Sequence, residues 1–378
     1  MIVQEPIDSP LPSRYTAAIG HWTLGISRMT TGTEADLRQE READYRTFEL
    51  VGDHATIGYQ MGLATPLRPV EHWRDPATEV AFANACAQVV GRFHPPLLDE
   101  FRGYAQAQGR PWEEVLPHFS LNLPEGTLSG CTTLARRLPD GHLLVARNYD
   151  FLYTQRQRYL RRLSPPGYPA TLGTQAGLIG SCYDGVNSHG LFAALHLIQA
   201  HIAERVGPGV PFHLVPRILL ETCRTAQEAV AQLEEMPHLF PFNYLVADPH
   251  DVFVVEVYPG RVRVRRPAGD GLVVTNYYES PDMRPLQGRR DLTKQIERVR
   301  WIEARMAEDA VHDAAGGWAW AERLLRDHTV PVCHHRPNQA TLWSLVADLT
   351  ARRVVYCLGA PCRNEFHEWT WPQDAPPM

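Results

Sequence analysis

The feature that most constrains this chain is a change of texture at Gly130. Before it, between about residues 69 and 119, apolar residues recur at helical spacing. Val80, Phe82, Ala83, Cys86, Val89 and Val90 form one set, Leu97, Leu98, Phe101 and Tyr104 a second, and Trp112, Val115, Leu116 and Phe119 a third. That period predicts amphipathic helices. Beyond Gly130, residues 131–137, a Pro139-Asp140-Gly141 turn and residues 142–151 read as a β hairpin. Strand-like runs return at 178–196, 244–257, 261–266, 272–276 and 342–358. Helices are predicted at 212–223, at 226–235 behind a Thr225-x-x-Glu228 capping box, and at about 291–308. Strands and helices in this order predict an α+β fold with mostly antiparallel sheets. No repeat or low-complexity tract interrupts the 378 residues, and the 31 prolines are scattered. One intertwined domain is expected, with residues 1–130 as a helical leader to a body of 131–378.

Charge excludes some functions. Lys plus Arg is 37 against 43 Asp plus Glu, a net charge of -6, so there is no global attraction to nucleic acid or anionic membranes. No apolar run reaches the roughly 18 residues of a membrane span, and Glu5, Asp8 and three prolines near the start are unlike a secretory signal. A cytoplasmic protein is expected. Its seven cysteines are odd in number and lack a CxxC pair, which predicts thiols instead of a disulfide framework or zinc ribbon. Cys333, His334 and His335 invite a metal reading. Neighbours on a strand point to opposite faces, however, and no second ligand pair stands at metal spacing, so neither metal nor cofactor is expected.

Most cysteines are small buried hydrophobes. Cys131 stands apart because it follows Ser129-Gly130 and opens a strand behind a long helical leader. If Asp140 and Gly141 make a two-residue turn, counting outward places Cys131 opposite Asp150, about 5 Å across the ladder. A cysteine at a chain start uses its own α-amine, of pKa about 7.7 to 8.0, as base for its thiol, and a carboxylate would orient that amine. The same count puts Arg147 opposite Leu134 on the other face, out of reach of the thiol unless a bulge intervenes.

Gly130-Cys131-Thr132-Thr133, with Arg147 and Asp150 sixteen and nineteen residues after the cysteine, resembles the pattern of choloylglycine hydrolases and penicillin V acylases in the Ntn-hydrolase superfamily. The long leader is similar to that of the isopenicillin-N acyltransferase branch, whose precursor cuts itself before the cysteine. Gly52-Asp53-His54-Ala55-Thr56-Ile57-Gly58-Tyr59-Gln60-Met61-Gly62 resembles that branch's leader motif. Val332-Cys333-His334-His335, Thr341-Leu342-Trp343-Ser344 and Gly359-Ala360-Pro361-Cys362 resemble its tail. The resemblance implies a four-layered αββα sandwich and cleavage between Gly130 and Cys131 into an α/β heterodimer, alone or as a homo-oligomer. It implies Cys131 as nucleophile, Arg147 beside the thiol, Asp150 on the new amine and Asn276, in Val273-Val274-Thr275-Asn276, as oxyanion donor. Asn187-Ser188-His189-Gly190-Leu191 matches a family turn. His196 stands where the family carries Asn or Tyr, which leaves the second oxyanion donor open, and Arg298 or Arg300 matches a late helical arginine.

Set against these roles are plainer ones. Arg147 and Asp150 make an ordinary hairpin ion pair, Asn276 caps a strand, and His196 is a satisfied core histidine. Arg156, Arg158, Arg161 and Arg162 read as a solvated charged face ahead of a holder of acidic substrate or coenzyme A phosphate. The expected function is hydrolysis or transfer at a linear amide of a small acylated amine. The alternatives are acyl-CoA-dependent N-acyl transfer, a non-catalytic binding protein on the same sandwich, and a papain-like enzyme with a His-paired thiol.

Overall fold

Two β-sheets pack face to face, and strand parity decides what is held between them. The computed structural model describes residues 18–20, 34–67, 76–121, 130–200, 207–287, 291–336 and 339–374. The leader gives β1 (Ala18–Gly20), α1 (Glu34–Arg41), β2 (Thr47–Val51), α2 (His54–Ala64), α3 (Pro76–Phe93), α4 (Pro96–Ala107) and the single turn α5 (Trp112–Val115). The body opens with β3 (Thr132–Arg137), β4 (Leu143–Leu152), β5 (Tyr159–Ser164), β6 (Thr171–Gln175), β7 (Asp184–Asn187) and β8 (Phe192–Leu197). Then come α6 (Val215–Thr222), α7 (Ala226–Glu235), β9 (Phe242–Ala247), β10 (Val252–Tyr258), β11 (Arg261–Arg265) and β12 (Gly271–Val274). The chain continues through α8 (Thr293–Glu308), α9 (Ala314–Leu325), β13 (His335–Arg336), β14 (Gln339–Asp348), β15 (Arg353–Leu358) and β16 (His367–Trp369).

One sheet runs β1-β2-β5-β6-β7-β8-β9-β10-β11 and the other β12-β3-β4-β14-β15-β16, with β13 paired to β14. Among the described strand pairs only β2 with β5 is parallel. Helices α8 and α9 cover the outer face of the second sheet, where Leu134, Leu144, Ala146 and Val346 meet Val299, Ile302, Trp318 and Leu325. Helices α6 and α7 cover the outer face of the first. The result is the α+β sandwich of four layers, αββα, with mostly antiparallel sheets. The sheets share a core in which Cys131, Tyr149 and Trp343 lie with Leu172, Phe192 and Tyr244. Among the described residues no helix is long and apolar enough to cross a membrane.

The leader is not purely helical, since its strand β2 extends the first sheet through β5. Its helix α2 starts at Asp53, whose carboxylate accepts from the Thr56 amide at 2.8 Å. That helix then lies directly on α4. A Cβ built on Gly58 would come within 1.8 Å of the Glu100 carbonyl oxygen, and one on Gly103 within 2.0 Å of the Ala55 carbonyl oxygen. Backbone meets backbone there, which explains Gly58 and Gly103. His54 at the head of α2 and His94 after α3 reach Glu221 of α6 at 3.0 and 2.7 Å, tying leader to body.

The β3–β4 hairpin differs from the two-residue turn. Leu138 and His142 pair, with the Leu138 amide donating to the His142 carbonyl at 2.8 Å, around a three-residue loop in which Gly141 has φ of +89°. The register is therefore Thr133 with Arg147 and Thr132 with Asn148, one residue away from the count based on a two-residue turn. A one-residue slip exchanges faces. Arg147 shares the inner face with Thr133 and Cys131, and Asp150 lies on the opposite face.

A side chain at Gly103 must force α2 and α4 apart. Gly103→Ala is expected to destabilise the full-length protein by about 1–3 kcal/mol, seen as a lower urea midpoint in equilibrium unfolding. An unchanged midpoint would mean that the helices separate without cost.

Candidate active site

Gly130 and Cys131 lead into β3 with opposite groups aimed at opposite layers. The Cys131 side chain is 1% exposed and its thiol donates to the Asp150 main-chain carbonyl at 3.6 Å. On the other face, Arg298 of α8 donates through Nη1 to the Gly130 carbonyl and to Thr132 Oγ1 at 3.0 Å. Asp150 Oδ2 is 3.9 Å from that same nitrogen, and Thr341 of β14 donates to Asp150 Oδ1 at 2.7 Å. A Cβ on Gly130 would sit 3.0 Å from Asp150 Oδ2, so the carboxylate lies against the main chain at the Gly130–Cys131 peptide. Burial pushes the Asp150 carboxyl up to about 6, against the lowering pull of Arg298 and the Thr341 hydroxyl. Of the two arginines considered on this helix, Arg298 is buried and Arg300 is exposed.

The inner face carries a second polar group. Arg147 Nε donates to Asp184 of β7 at 2.8 Å, and its Nη2 to the Leu195 carbonyl at 2.7 Å. Its Nη1 donates to Thr133 Oγ1 and to His196 Nε2, both at 2.8 Å. With Nε2 accepting, the imidazole proton belongs on Nδ1. Burial and then the Arg147 charge hold His196 well below its ordinary pKa, so the ring is neutral. Arg147 and Asp184 are both 0% exposed, and removing either partner would leave a buried charge unpaired. Thus Arg147 is paired to Asp184 of the facing sheet, with Asp150 on the other side of its own strand.

Asn276 follows β12, whose register with β3 ends at Val274 opposite Thr133. Two further steps bring Asn276 level with Cys131. Its amide donates to the Leu197 carbonyl at 2.8 Å, and Asn243 Nδ2 grips both sides of it through the carbonyls of Thr275 at 3.2 Å and Tyr277 at 2.8 Å. Sequence reading passed over Asn243 and Asp184, and it named Thr341 only as part of the tail motif, without a role. A signal existed for Asn243, a polar residue inside the apolar run Phe242-Asn243-Tyr244-Leu245-Val246-Ala247, since a buried amide in such a run needs partners.

Several other motif residues are structural. Asn187 Oδ1 accepts from the amides of His189 and Leu191, and its amide holds the end of α6 through the carbonyls of Leu220 and Cys223. Only Arg156 of the arginine cluster is exposed, so most of the cluster is not a solvated face. Arg158 bonds the Tyr45 hydroxyl at 2.5 Å and Arg161 the Ser181 carbonyl at 2.5 Å, both from buried positions, and Arg156 and Arg162 pair with Glu42 and Glu49. The metal reading also changes. Alternation does separate His334 from His335, yet the fold supplies the second ligand pair that sequence spacing lacks: His328, Cys333, His335 and Cys362 offer ligand atoms within 4.8 Å of one another.

The family model described as acyl-coenzyme A:6-aminopenicillanic acid acyl-transferase matches residues 137–363. That span is more than half of the chain. It begins beyond Cys131 and contains Arg147, Asp150, His196, Asn276 and Arg298. Solved structures with similarity include penicillin V acylase from Agrobacterium tumefaciens, at TM-score 0.45 and 17% identity, covering 60% of this chain and 83% of that one. A mutant conjugated bile acid hydrolase from Clostridium perfringens matches at TM-score 0.43 and 14% identity, covering 65% and 98%. A Caenorhabditis elegans ortholog of N-acylethanolamine-hydrolyzing acid amidase matches at 0.38 and 18%, covering 58% and 93%. On the family match, this chain belongs to the acyl-coenzyme A:6-aminopenicillanic acid acyl-transferase family.

Proposed function

We propose that the chain cuts itself between Gly130 and Cys131 and then works as a cysteine amidohydrolase or acyltransferase on a linear amide of a small N-acylated amine. The observation that carries this reading is the polarised Gly130 carbonyl. A buried guanidinium donates to the oxygen that would become an oxyanion if the adjacent Cys131 thiol added to that carbon. In maturation the Cys131 sulfur bonds to the Gly130 carbonyl carbon, the carbon–nitrogen bond breaks, and the Cys131 nitrogen takes a proton. Water then hydrolyses the thioester, leaving a Gly130 carboxylate and a Cys131 α-amine. The two products are a 1–130 chain and a 131–378 chain, held together by β2–β5 pairing and the Glu221 contacts.

In turnover the α-amine takes the thiol proton, the thiolate attacks the substrate's acyl carbon, and the ammonium protonates the departing amine. In this reading Asp150 orients the amine, a role supported by the closeness of its carboxylate to the main chain at Gly130. Arg147 and the neutral His196 fix Thr133 beside the nucleophile, and Asn276 supplies an amide donor for the oxyanion after exchanging its Leu197 partner. Water or a second amine takes the acyl group. The matched family's description names an acyl-coenzyme A donor, so thioester-dependent N-acyl transfer is the second reading. Arg158 and Arg161 are buried in protein contacts, which argues against that cluster as a coenzyme A phosphate holder.

Purified wild type should give fragments 1–130 and 131–378 by intact mass, and Cys131→Ala should remain one chain. A wild type still uncut after long incubation would sink the reading. Matured protein offered N-acyl amino acids, acyl-homoserine lactones, penicillins, and acyl-CoA with an amine should form an acyl adduct that Cys131→Ala does not.

The pH dependence follows from Asp150. Its carboxyl is raised from 3.8 to about 6, so the folded chain holds an extra proton between about pH 4 and about pH 6. Stability declines as pH rises across that window, and above it the buried carboxylate carries its full ionisation cost. The carboxylate is nevertheless the form that orients an amine. Cleavage of freshly translated precursor should therefore accelerate as pH rises through about 6, and Asp150→Asn should be slow with a flat profile. A wild-type rate independent of pH between about 5 and about 8 would contradict this assignment.

Asn276→Ala should lower kcat by about 100-fold or more with KM little changed, because an oxyanion donor acts on charge that develops in the transition state. A variant that loses only KM would place Asn276 in substrate binding.

A further inference from the structure

We infer that His328, Cys333, His335 and Cys362 form a structural zinc site at the edge of the second sheet, beside but separate from the Cys131 nucleophile. His328 lies in the turn after α9, Cys333 and His335 flank the entry to β13, and Cys362 follows β15 in the Gly359-Ala360-Pro361-Cys362 turn. Cys333, in the bend before β13, and His335, the first residue of β13, bring their ligand atoms to 3.4 Å of one another. The other two ligands arrive from separate parts of the chain, which is why no metal spacing is visible in the sequence.

The ligand atoms lie near the spacing the ion requires, so small shifts would close the site. Tetrahedral zinc with bonds of about 2.3 Å to sulfur and about 2.0–2.1 Å to nitrogen requires edges of roughly 3.4 to 3.8 Å between ligand atoms. His335 Nε2 lies 3.4 Å from Cys333 Sγ and 3.2 Å from Cys362 Sγ, and all four ligand atoms fall within 4.8 Å. The His328 ring is next to His335, with centroids 5.4 Å apart. Two cysteines and two histidines with no position left for water make the closed set of a structural site, not a catalytic one. Binding would send two thiol protons to solvent and leave a neutral centre of one dication and two thiolates. The cost is at His335 Nδ1. It must carry the proton when Nε2 binds metal, and Arg363 Nη1, 3.4 Å away, then has to yield. That contact is already long for a hydrogen bond, and Arg363 is held independently by Glu40.

The site would fix the β13–β14 hairpin, in which the Thr341 amide donates to the His334 carbonyl at 3.0 Å and the Thr341 hydroxyl holds Asp150. Zinc would thus brace Asp150 from behind.

The test uses full-length protein made in zinc-supplemented medium and freed of loose metal by gel filtration. Elemental analysis should find about one zinc per chain in wild type and equally in Cys131→Ala, so the result does not depend on self-cleavage. Cys362→Ser should lose it. His328→Ala, altering an exposed side chain, should fold normally, shown by an unchanged circular dichroism spectrum, and bind zinc at least 10-fold more weakly in a chelator competition. Cobalt added to metal-stripped protein should give a thiolate-to-cobalt charge-transfer band in wild type and Cys131→Ala but not in Cys362→Ser. Wild type without zinc or cobalt uptake, a Cys333–Cys362 disulfide in unreduced native protein, or uptake unaffected by Cys362→Ser would each overturn the proposal.

Discussion

Everything at the candidate site depends on the parity of one hairpin. Because side chains along a strand alternate, the three-residue loop at Pro139-Asp140-Gly141 determines which of the β4 residues can meet which of the β3 residues. With Thr133 opposite Arg147, the thiol of Cys131 points between the sheets. The carbonyl before it points toward α8, where Arg298, Thr132 and Asp150 gather around the Gly130–Cys131 peptide. The Cys131 thiol and the Asp150 carboxylate are separated by the thickness of a strand, and each lies against a different part of the main chain at that peptide. A two-residue turn would have put both on one face.

Buried charge is the second organising term. Burial works to raise the Glu221 carboxyl, yet Arg217, His54 and His94 overcome it and hold the group well below its ordinary range. Arg217 also reaches Glu100 of α4 at 2.8 Å, and Arg161 of β5 lies 3.7 Å from the same carboxylate. Such an array contributes less to net stability than its Coulomb attraction implies, because each ion has left water. Its effect is specificity, since a leader docked out of place would strand several unpaired charges at once.

Much of the fold was legible because it is local. The capping residue Thr225 starts α7 at Ala226 as its capping box predicts, and the helical periods between Val80 and Phe119 correspond to α3, α4, α5 and the 3-10 turn Leu116–Phe119 that follows it. The order of strands after Gly130 likewise sufficed for an α+β fold. What failed depended on distant partners. β5 carries Arg161 and Arg162 and follows Arg158, so it reads as a charged surface until Glu100, Ser181 and Tyr45 supply the contacts that allow burial. Cys131, Arg147, Asp150, Asn276 and Arg298 were named through motif resemblance, but the faces of Arg147 and Asp150 came out exchanged because residue counting cannot distinguish a two-residue from a three-residue loop. The grouping of Cys333 with Cys362 and two histidines spans more than thirty residues and has no local trace.

The parallel pairing of β2 with β5 has one more consequence. In the order β1-β2-β5-β6, the leader's two strands close one end of the nine-stranded sheet. A chain beginning at Cys131 and made alone would present β5 as an unpaired edge, with the amides and carbonyls that Thr47–Val51 now satisfy exposed to solvent. An edge of that kind recruits any extended segment that fits it, including the same edge of another copy. The leader is thus a wall of the sandwich that covers the β5 edge, as much a part of the sheet as the strands of the body.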